Sequence, residues 1–458
     1  MFKIQETVIN GGYCIGCGAC TAVENSPFKT AFDENGCIQA FSSDSCVSNL
    51  LDESISDVCP FYNSESNENV LSRELFRATN EFDSRIGYYH QTFCGRVGEG
   101  DFFAKGSSGG MGKWLLTDLL ERNMVDYVIQ VVSNGRDPDQ LFQFKVISDS
   151  KEVINGAKSG YYPVEMSSVL KFIKQNPGRY AITGVPCFIK SIRLLQKQQV
   201  IFKERIKYCV GIVCGHLKSR FYADMIGWQV GIPPGNVSNI DFRVKMEGEK
   251  ANQKAVKVTS VDGTIAGPFR VNDLFGVNYG YGFFSYKACE FCDDVIAETA
   301  DISFGDAWLP RFIVEGTSII ISRNPELSML IEEGKKEGRI ILSSVSPHEV
   351  YQSQEAGFRH RREGLAVRIN EKRKAGKWVP RKRFETIVSS FIRILIYRKR
   401  TRMGEKSFRV YLDALAGHDF RAFKKKISRE IMGYKFLYAL EGLIKKVTGK
   451  KRKPAGKM

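Results

Sequence analysis

At 458 residues, 43% of them apolar, the chain is long enough for two or three cores and too apolar to be disordered. The net charge of +16 belongs to one end: residues 359–458 hold 31 Lys and Arg against 8 Asp and Glu, and the first 358 residues are net acidic. No apolar run reaches 18 residues, which argues against a spanning helix, and the start MFKIQETVINGGYC lacks the basic and apolar segments of a secretory signal.

A cytoplasmic, reducing location follows as the expectation, so the twelve cysteines need a role other than disulfides. In chain order, the first signal is Cys14-Ile15-Gly16-Cys17-Gly18-Ala19-Cys20 with a distant Cys59-Pro60. Three thiolates at spacing three, closed by a remote Cys-Pro, form the ligand pattern of an iron–sulfur cluster. The compact ferredoxin run would place a fourth cysteine at position 24, where this chain has Glu24, so one [4Fe–4S] cluster is assigned to Cys14, Cys17, Cys20 and Cys59. Zinc is the competing reading, disfavoured because no histidine or second Cys-x-x-Cys hook lies nearby. Residues 61–90 are polar and read as a linker.

Gly106-Ser107-Ser108-Gly109-Gly110 stands directly before an amphipathic helix expected over Met111–Arg122. Glycines and hydroxyls at a helix start suit a phosphate, because free backbone N–H groups and the helix dipole meet there. A plain surface loop is the alternative, and the segment matches neither a Walker nor a dinucleotide fingerprint.

Strand and helix patterns then alternate: strands over Asp126–Val132, Leu141–Ile147, Arg179–Val185 and Ile206–Val213, helices over Glu165–Gln175, Phe188–Gln196 and Lys218–Gln229. The alternation predicts an α/β layer structure, with an antiparallel insertion near Arg243–Pro268. Two buried strands run into Pro186-Cys187 and Cys214-Gly215-His216, and functional crevices of open α/β sheets lie at such carboxyl ends. With the hook Cys289-x-x-Cys292 they make a second set of four cysteines, suited to another [4Fe–4S] cluster, structural zinc being the alternative. Cys37, Cys46, Cys94 and Cys209 are left as plain small residues.

Asp301–Gly305 is expected to be a further strand with Asp306 and Trp308 at its end. His216, two residues past Cys214, is placed to donate a proton near a bound cofactor, a structurally bonded histidine being the alternative. Beyond position 357 the chain turns basic, and Phe384–Arg400 and Tyr434–Lys446 read as basic amphipathic helices. An anionic membrane surface and simple packing on the body are the two readings of this tail, with nucleic acid a distant third because base-stacking aromatics are sparse.

The segments Lys105–Met111 (KGSSGGM), Gly156–Pro163 (GAKSGYYP), Thr183–Cys187 (TGVPC), Gly211–Cys214 (GIVC) and Lys287–Trp308 together resemble the beta-subunit family of coenzyme F420 hydrogenases and dehydrogenases. The resemblance implies FAD at Gly106, Ser107, Ser108, Gly109 and Gly110, with Lys158 and Ser159 as further contacts. It also implies one [4Fe–4S] cluster on Cys187, Cys214, Cys289 and Cys292, the four that the strand ends select. The extra N-terminal cysteine set and the basic tail resemble the bacterial branch found among polysaccharide-biosynthesis proteins.

The fold expected is an α/β core with an antiparallel insertion, preceded by a small ferredoxin-like iron–sulfur domain (1–65) and followed by a basic helical tail (358–458), with the catalytic domain over 90–350. The function expected is an iron–sulfur flavoprotein oxidoreductase, passing electrons between a ferredoxin-type partner, two [4Fe–4S] clusters and FAD to act on a small or sugar-linked organic substrate. An F420 reductase or dehydrogenase subunit is the alternative, and a zinc-stapled, non-catalytic binding protein is the alternative from another class. His216, Lys158 and Asp306 are the candidate catalytic groups. The location expected is cytoplasmic, with the inner face of the membrane as a peripheral site.

Overall fold

The computed structural model describes residues 2–43, 48–78, 80–135, 137–246, 248–249, 253–312, 316–387 and 389–447. Strands β1 (Lys29–Phe32) and β2 (Ile38–Phe41) form one hairpin, and β3 (Glu81–Asp83) and β4 (Gly87–Tyr89) a second. The main sheet draws on β5 (Gln91–Val97), β6 (Tyr127–Ser133), β7 (Phe142–Ile147), β8 (Tyr180–Gly184) and β9 (Ile206–Ile212). A separate antiparallel sheet holds β10 (Val237–Val244), β11 (Ala255–Ser260) and β12 (Ile265–Arg270), so the insertion begins ahead of the expected Arg243. The main sheet is completed by β13 (Ile302–Asp306), β14 (Ser318–Ser322) and β15 (Ile340–Ser344).

The order across the main sheet is β15-β5-β14-β13-β9-β8-β6-β7. The four strands β13, β9, β8 and β6 run parallel, and antiparallel neighbours close both flanks. Strands buried on both faces read as continuous apolar runs, and this is why Tyr180–Gly184, buried at every position, was visible in the sequence. Helices cover both faces. Met111–Glu121 and Pro325–Lys336 pack on one through Trp114, Leu115, Leu119, Leu327 and Ile331. On the other, Ser167–Gln175 and Pro186–Gln198 share a core with the N-terminal segment, where Phe2, Tyr13, Ile15 and Phe28 meet Leu170, Ile189 and Ile192.

Residues 1–60 are stitched to the body by backbone as well as side chains. Met166 N–H donates to Cys17 O (3.1 Å), and Ile38 N–H to the Tyr286 hydroxyl (2.7 Å). The stretch read as a linker over 61–90 instead contains the helix Glu68–Phe76 and the β3–β4 hairpin. Asn67 caps that helix through N–H groups of Asn69 and Val70, while Leu71 and Phe76 bury in spite of the polar composition.

The tail forms two long helices, Phe391–Ala416 and Phe420–Val447, running antiparallel with Arg393 beside Glu441 (3.4 Å) and Lys406 beside Glu430 (2.7 Å). Ile396, Met403 and Tyr411 on one, and Phe423, Ile427 and Ile431 on the other, bury against Phe221, Phe283 and Phe284 of the body. The helix expected to begin at Phe384 begins at Phe391; residues 380–385 form neither helix nor strand, and Arg383 among them is held by buried ion pairs described below. Among the described residues, no helix is long and apolar enough to cross a membrane.

Candidate functional site: two thiol sets and a cationic turn

The first thiol set is built by a tight loop and a helix end. Gly16 and Gly18 have left-handed backbones (φ +63° and +80°), and a Cβ on Gly16 would come within 2.4 Å of Ile38 O, so the loop needs glycine to lie this close to the β1–β2 hairpin. The loop presents Cys14, Cys17 and Cys20, and Cys59 arrives just past the helix Asn49–Asp57. The four thiols line one cavity of about 30 Å³, walled by apolar side chains including Ile4, Val8, Val58 and Phe61. Cys14 Sγ accepts from the N–H groups of Gly16 and Ala40, each at 3.4 Å. Burial pushes the Cys17 thiol up to about 12 and that of Cys59 to about 11, and the other thiols of the set add to the shift.

The second set assembles at the carboxyl ends of parallel strands. Cys187 opens the helix that follows β8, Cys214 follows β9, and Cys289 and Cys292 lie on the 3₁₀ turn Lys287–Phe291 and its end. Each feels the others: the Cys187 thiol is raised first by burial, then by Cys292, Cys214, Cys289 and also by Cys17 of the first set. Leu217 N–H donates to Cys289 Sγ at 3.1 Å. Arg361, fully buried, sets its Nη2 3.8 Å from Cys214 Sγ and donates to the carbonyls of Cys214 (3.2 Å) and Gly215 (2.6 Å). Burial acts to lower its pKa, and the field of all four thiols outweighs that and raises it.

Among the described residues, no group of three or more Cys, His, Asp or Glu side chains converges closely enough to hold a single metal ion. The donor chemistry of both sets fits a cluster: four buried sulfurs, no competing oxygen or nitrogen ligand among them, N–H groups directed at sulfur, and a buried guanidinium beside the second set.

Behind Cys292 lies a buried acidic segment clamped by the tail. Arg383 pairs with Glu298 (2.7 Å) and Asp293 (3.1 Å), and Lys190 pairs with Glu68 (3.2 Å). The guanidinium of Arg383 holds the Asp293 carboxyl below the usual range, whereas burial and Glu298 push Asp294 up. Such pairs fix geometry more than they add net stability.

The glycine-rich turn differs from the expected backbone cradle in how its glycines are used. Gly110 (φ +80°) would put a Cβ 2.4 Å from Phe102 O, and Gly109 would put one 2.4 Å from Gly95 O, so close packing requires Gly110 against the short helix Phe102–Lys105 and Gly109 against β5. The hydroxyls of Ser107 and Ser108 donate to Lys158 O (2.8 Å) and Thr317 O (2.7 Å). Cations gather round the turn. Arg243 Nη2 donates to Ser107 O (3.3 Å) and Asp306 Oδ1 (2.8 Å), and Lys245 Nζ to Ser108 O (2.8 Å). Lys158 Nζ pairs with Asp241 (2.8 Å), and Lys113 Nζ donates to Ile154 O (2.9 Å). Burial, then neighbouring cations including Lys158 and Arg243, lower Lys245 to about 7; burial and Arg243 lower Lys254 to about 8; burial and Lys158 lower Lys113 to about 8. Crowded, desolvated cations of this kind are stabilised by a bound phosphate, and the helix start at Met111 has no side-chain cap to compete with it.

Lys158, Ser159 and Asp306 all come to this turn: Ser159 follows Lys158 just past the bridge of Gly156 to β6, and Asp306 ends β13. His216 does not. It is buried with its ring tilted against Tyr279 (centroids 4.2 Å apart), and the Tyr279 ring in turn lies 5.3 Å from that of Tyr161, whose hydroxyl accepts from Arg243 Nη1 (3.3 Å). These rings lie between the second thiol set and the glycine turn. Cys94 and Cys209 are buried on β5 and β9; Cys46 lies outside the described residues. Arg361, Arg383, Arg243 and Lys245 were missed by sequence reasoning, since long-range cations leave no local pattern.

The N-terminal model of the coenzyme F420 hydrogenase/dehydrogenase beta subunit matches residues 92–171, and its C-terminal model residues 178–348. The chain belongs to this family. It is similar to the coenzyme F420-dependent sulfite reductase of Methanocaldococcus jannaschii, at 24% identity over 343 residues, covering 70% of this chain but only 46% of that protein. A second, uncharacterized protein of the same organism is 22% identical over 358 residues, covering 70% of this chain and 86% of its own length. A chain in the xenon-derivatised F420-reducing [NiFe] hydrogenase complex of Methanosarcina barkeri aligns with a TM-score of 0.49 at 16% identity, over 65% of this chain and 98% of that one.

Proposed function

We propose that the chain is an oxidoreductase of the F420 hydrogenase/dehydrogenase beta-subunit type, which moves reducing equivalents between a ferredoxin-type partner and coenzyme F420. In this reading Cys14, Cys17, Cys20 and Cys59 hold one [4Fe–4S] cluster, and Cys187, Cys214, Cys289 and Cys292 hold a second. Lys113, Lys158, Arg243, Lys245 and Lys254 bind the phosphates of FAD around the turn Gly106–Gly110. The observation that carries the reading is the placement of the three: Cys187 and Cys214 follow the parallel strands β8 and β9, Asp306, which pairs with Arg243 at the cationic turn, ends the parallel strand β13, and the Cys17 loop is bonded to the same body through Met166.

Bound there, the clusters would supply single-electron relay and the flavin two-electron hydride exchange. The chain's own part is to space and tune them. Arg361 would offset the negative charge of four thiolates in a buried site, where an unpaired charge is costly. Asp306 orients Arg243 toward the turn, and Lys158 is oriented by Asp241, so both act as binding groups. A cleft of about 840 Å³, bordered by Gly12, Asp33–Asn35, Tyr286, Glu290 and Lys372, reaches the chain beside both thiol sets and is the approach we assign to the electron partner.

The test is an anaerobic assay of the reconstituted protein with reduced ferredoxin and F420, followed by loss of the deazaflavin absorbance. Turnover of F420 is expected. A protein that carries clusters and flavin but leaves F420 untouched, and oxidises or reduces a sugar-linked substrate instead, would replace F420 in this reading while keeping its electron path.

A further inference from the structure

The C-terminal helix Phe420–Val447 carries apolar residues on two opposite faces. Phe423, Ile427, Ile431 and Tyr434 are buried on the body. At 100° per residue, Met432, Phe436, Ala439, Leu443 and Val447 fall within about 80° of arc on the other side. That side is open: Met432 is 62% exposed, Phe436 66%, Leu443 59% and Val447 87%. The antiparallel neighbour adds Phe391, 73% exposed, at the end where Arg393 meets Glu441.

On this helix the exposed charges beside the stripe are basic. Lys425 and Arg429 continue the exposed side toward the helix start, and Lys435 and Lys446 flank the stripe, all exposed. The helix holds two acidic residues, Glu430 and Glu441, and both are turned inward to Lys399, Lys406 and Arg393; the exposed carboxylate of Asp413, on the neighbouring helix, is paired with Lys426. An apolar stripe of this extent flanked by cations marks an interaction surface.

We propose that this face docks the protein on an anionic lipid surface, with the apolar stripe at the acyl boundary and Lys425, Arg429, Lys435 and Lys446 among the headgroups. A second copy fits less well, because a two-fold contact through the stripe would set the same cations against one another. Nucleic acid would satisfy the cations and leave Met432, Phe436, Leu443 and Val447 without a role. No described helix can span a bilayer, so attachment is interfacial.

The experiment is co-sedimentation of the full, anaerobically purified chain with phosphatidylcholine vesicles containing roughly one-third phosphatidylglycerol, against phosphatidylcholine alone. Binding about tenfold or more stronger to the anionic vesicles is expected. The double variant Phe436→Ser and Leu443→Ser should reduce that binding about tenfold or more, since both side chains would lose the apolar surface they bury at the acyl boundary. Lys425→Glu with Arg429→Glu should remove the preference for anionic lipid. All four residues are exposed, so thermal unfolding should be unchanged. Equal binding to both vesicles, binding indifferent to Phe436→Ser and Leu443→Ser, a dimer in solution that those substitutions abolish, or retention of an oligonucleotide with none of vesicles would each overturn the proposal.

Discussion

Arg361 Nη2 stands 3.8 Å from Cys214 Sγ, and both groups are buried. A guanidinium is retained in such a place only if negative charge sits beside it. Arg361→Leu should make the second cluster harder to reduce, shifting its midpoint potential to more negative values, and Arg361→Lys should fall between. Potentiometric titration followed by electron paramagnetic resonance reads this; an unchanged potential in Arg361→Leu would separate Arg361 from the cluster.

Cys289→Ser should remove one cluster and leave the one on Cys14, Cys17, Cys20 and Cys59, halving iron and sulfide content. Metal analysis with the visible spectrum measures it. Loss of both clusters together would mean that the sets are not independent, a real alternative given that Cys17 lies within the field of Cys187.

The lysines at the glycine turn give opposite pH dependences to binding and stability. In the folded protein Lys245 titrates near 7 and Lys254 and Lys113 near 8, all below the ordinary lysine value. Protonated amines bind the anion, so flavin affinity should fall as pH rises from about 6 to 9. The unfolded chain binds more protons between about 7 and the free lysine value, so the flavin-free protein should gain stability with rising pH across that window. Fluorescence titration of flavin and thermal unfolding at several pH values test the two signs. Lys245→Ala should weaken flavin binding about tenfold, the effect of one charge-assisted hydrogen bond.

Asp306 separates a binding role from a catalytic one. It neutralises part of the Arg243 charge at 2.8 Å. Asp306→Asn should therefore tighten or preserve flavin binding with little change in kcat. A drop in kcat of a hundredfold or more, in the range about 10²–10⁴ typical of proton-transfer groups, would make it catalytic.

Gly110→Ala should cost about 1–2 kcal/mol for its left-handed backbone alone, with the clash against Phe102 O added. A lowered melting temperature without bound flavin is the expected result.

The residues that were legible in the sequence share a local signal. β8 and β9 are largely apolar runs followed within three residues by Cys187 and Cys214, and the hook Cys289–Cys292 has a fixed spacing. β5 was missed because its core, Thr92-Phe93-Cys94-Gly95, mixes polar and small residues that are buried only by lying between β14 and β15. The tail hid its function more thoroughly. Its arginines read as surface charge, yet Arg361 reaches the second thiol set and Arg383 clamps Asp293 and Glu298, contacts whose partners lie at least 85 residues away in the chain. Its helices show two apolar faces, and periodicity alone could not tell which of them the body covers.

The central claim is that two sets of four thiols and one cationic turn hold two iron–sulfur clusters and a flavin. It is tested most directly by iron, acid-labile sulfide and flavin analysis of protein purified without oxygen. About eight irons, eight sulfides and one FAD per chain are expected. Zinc in place of iron, with no flavin, would contradict it.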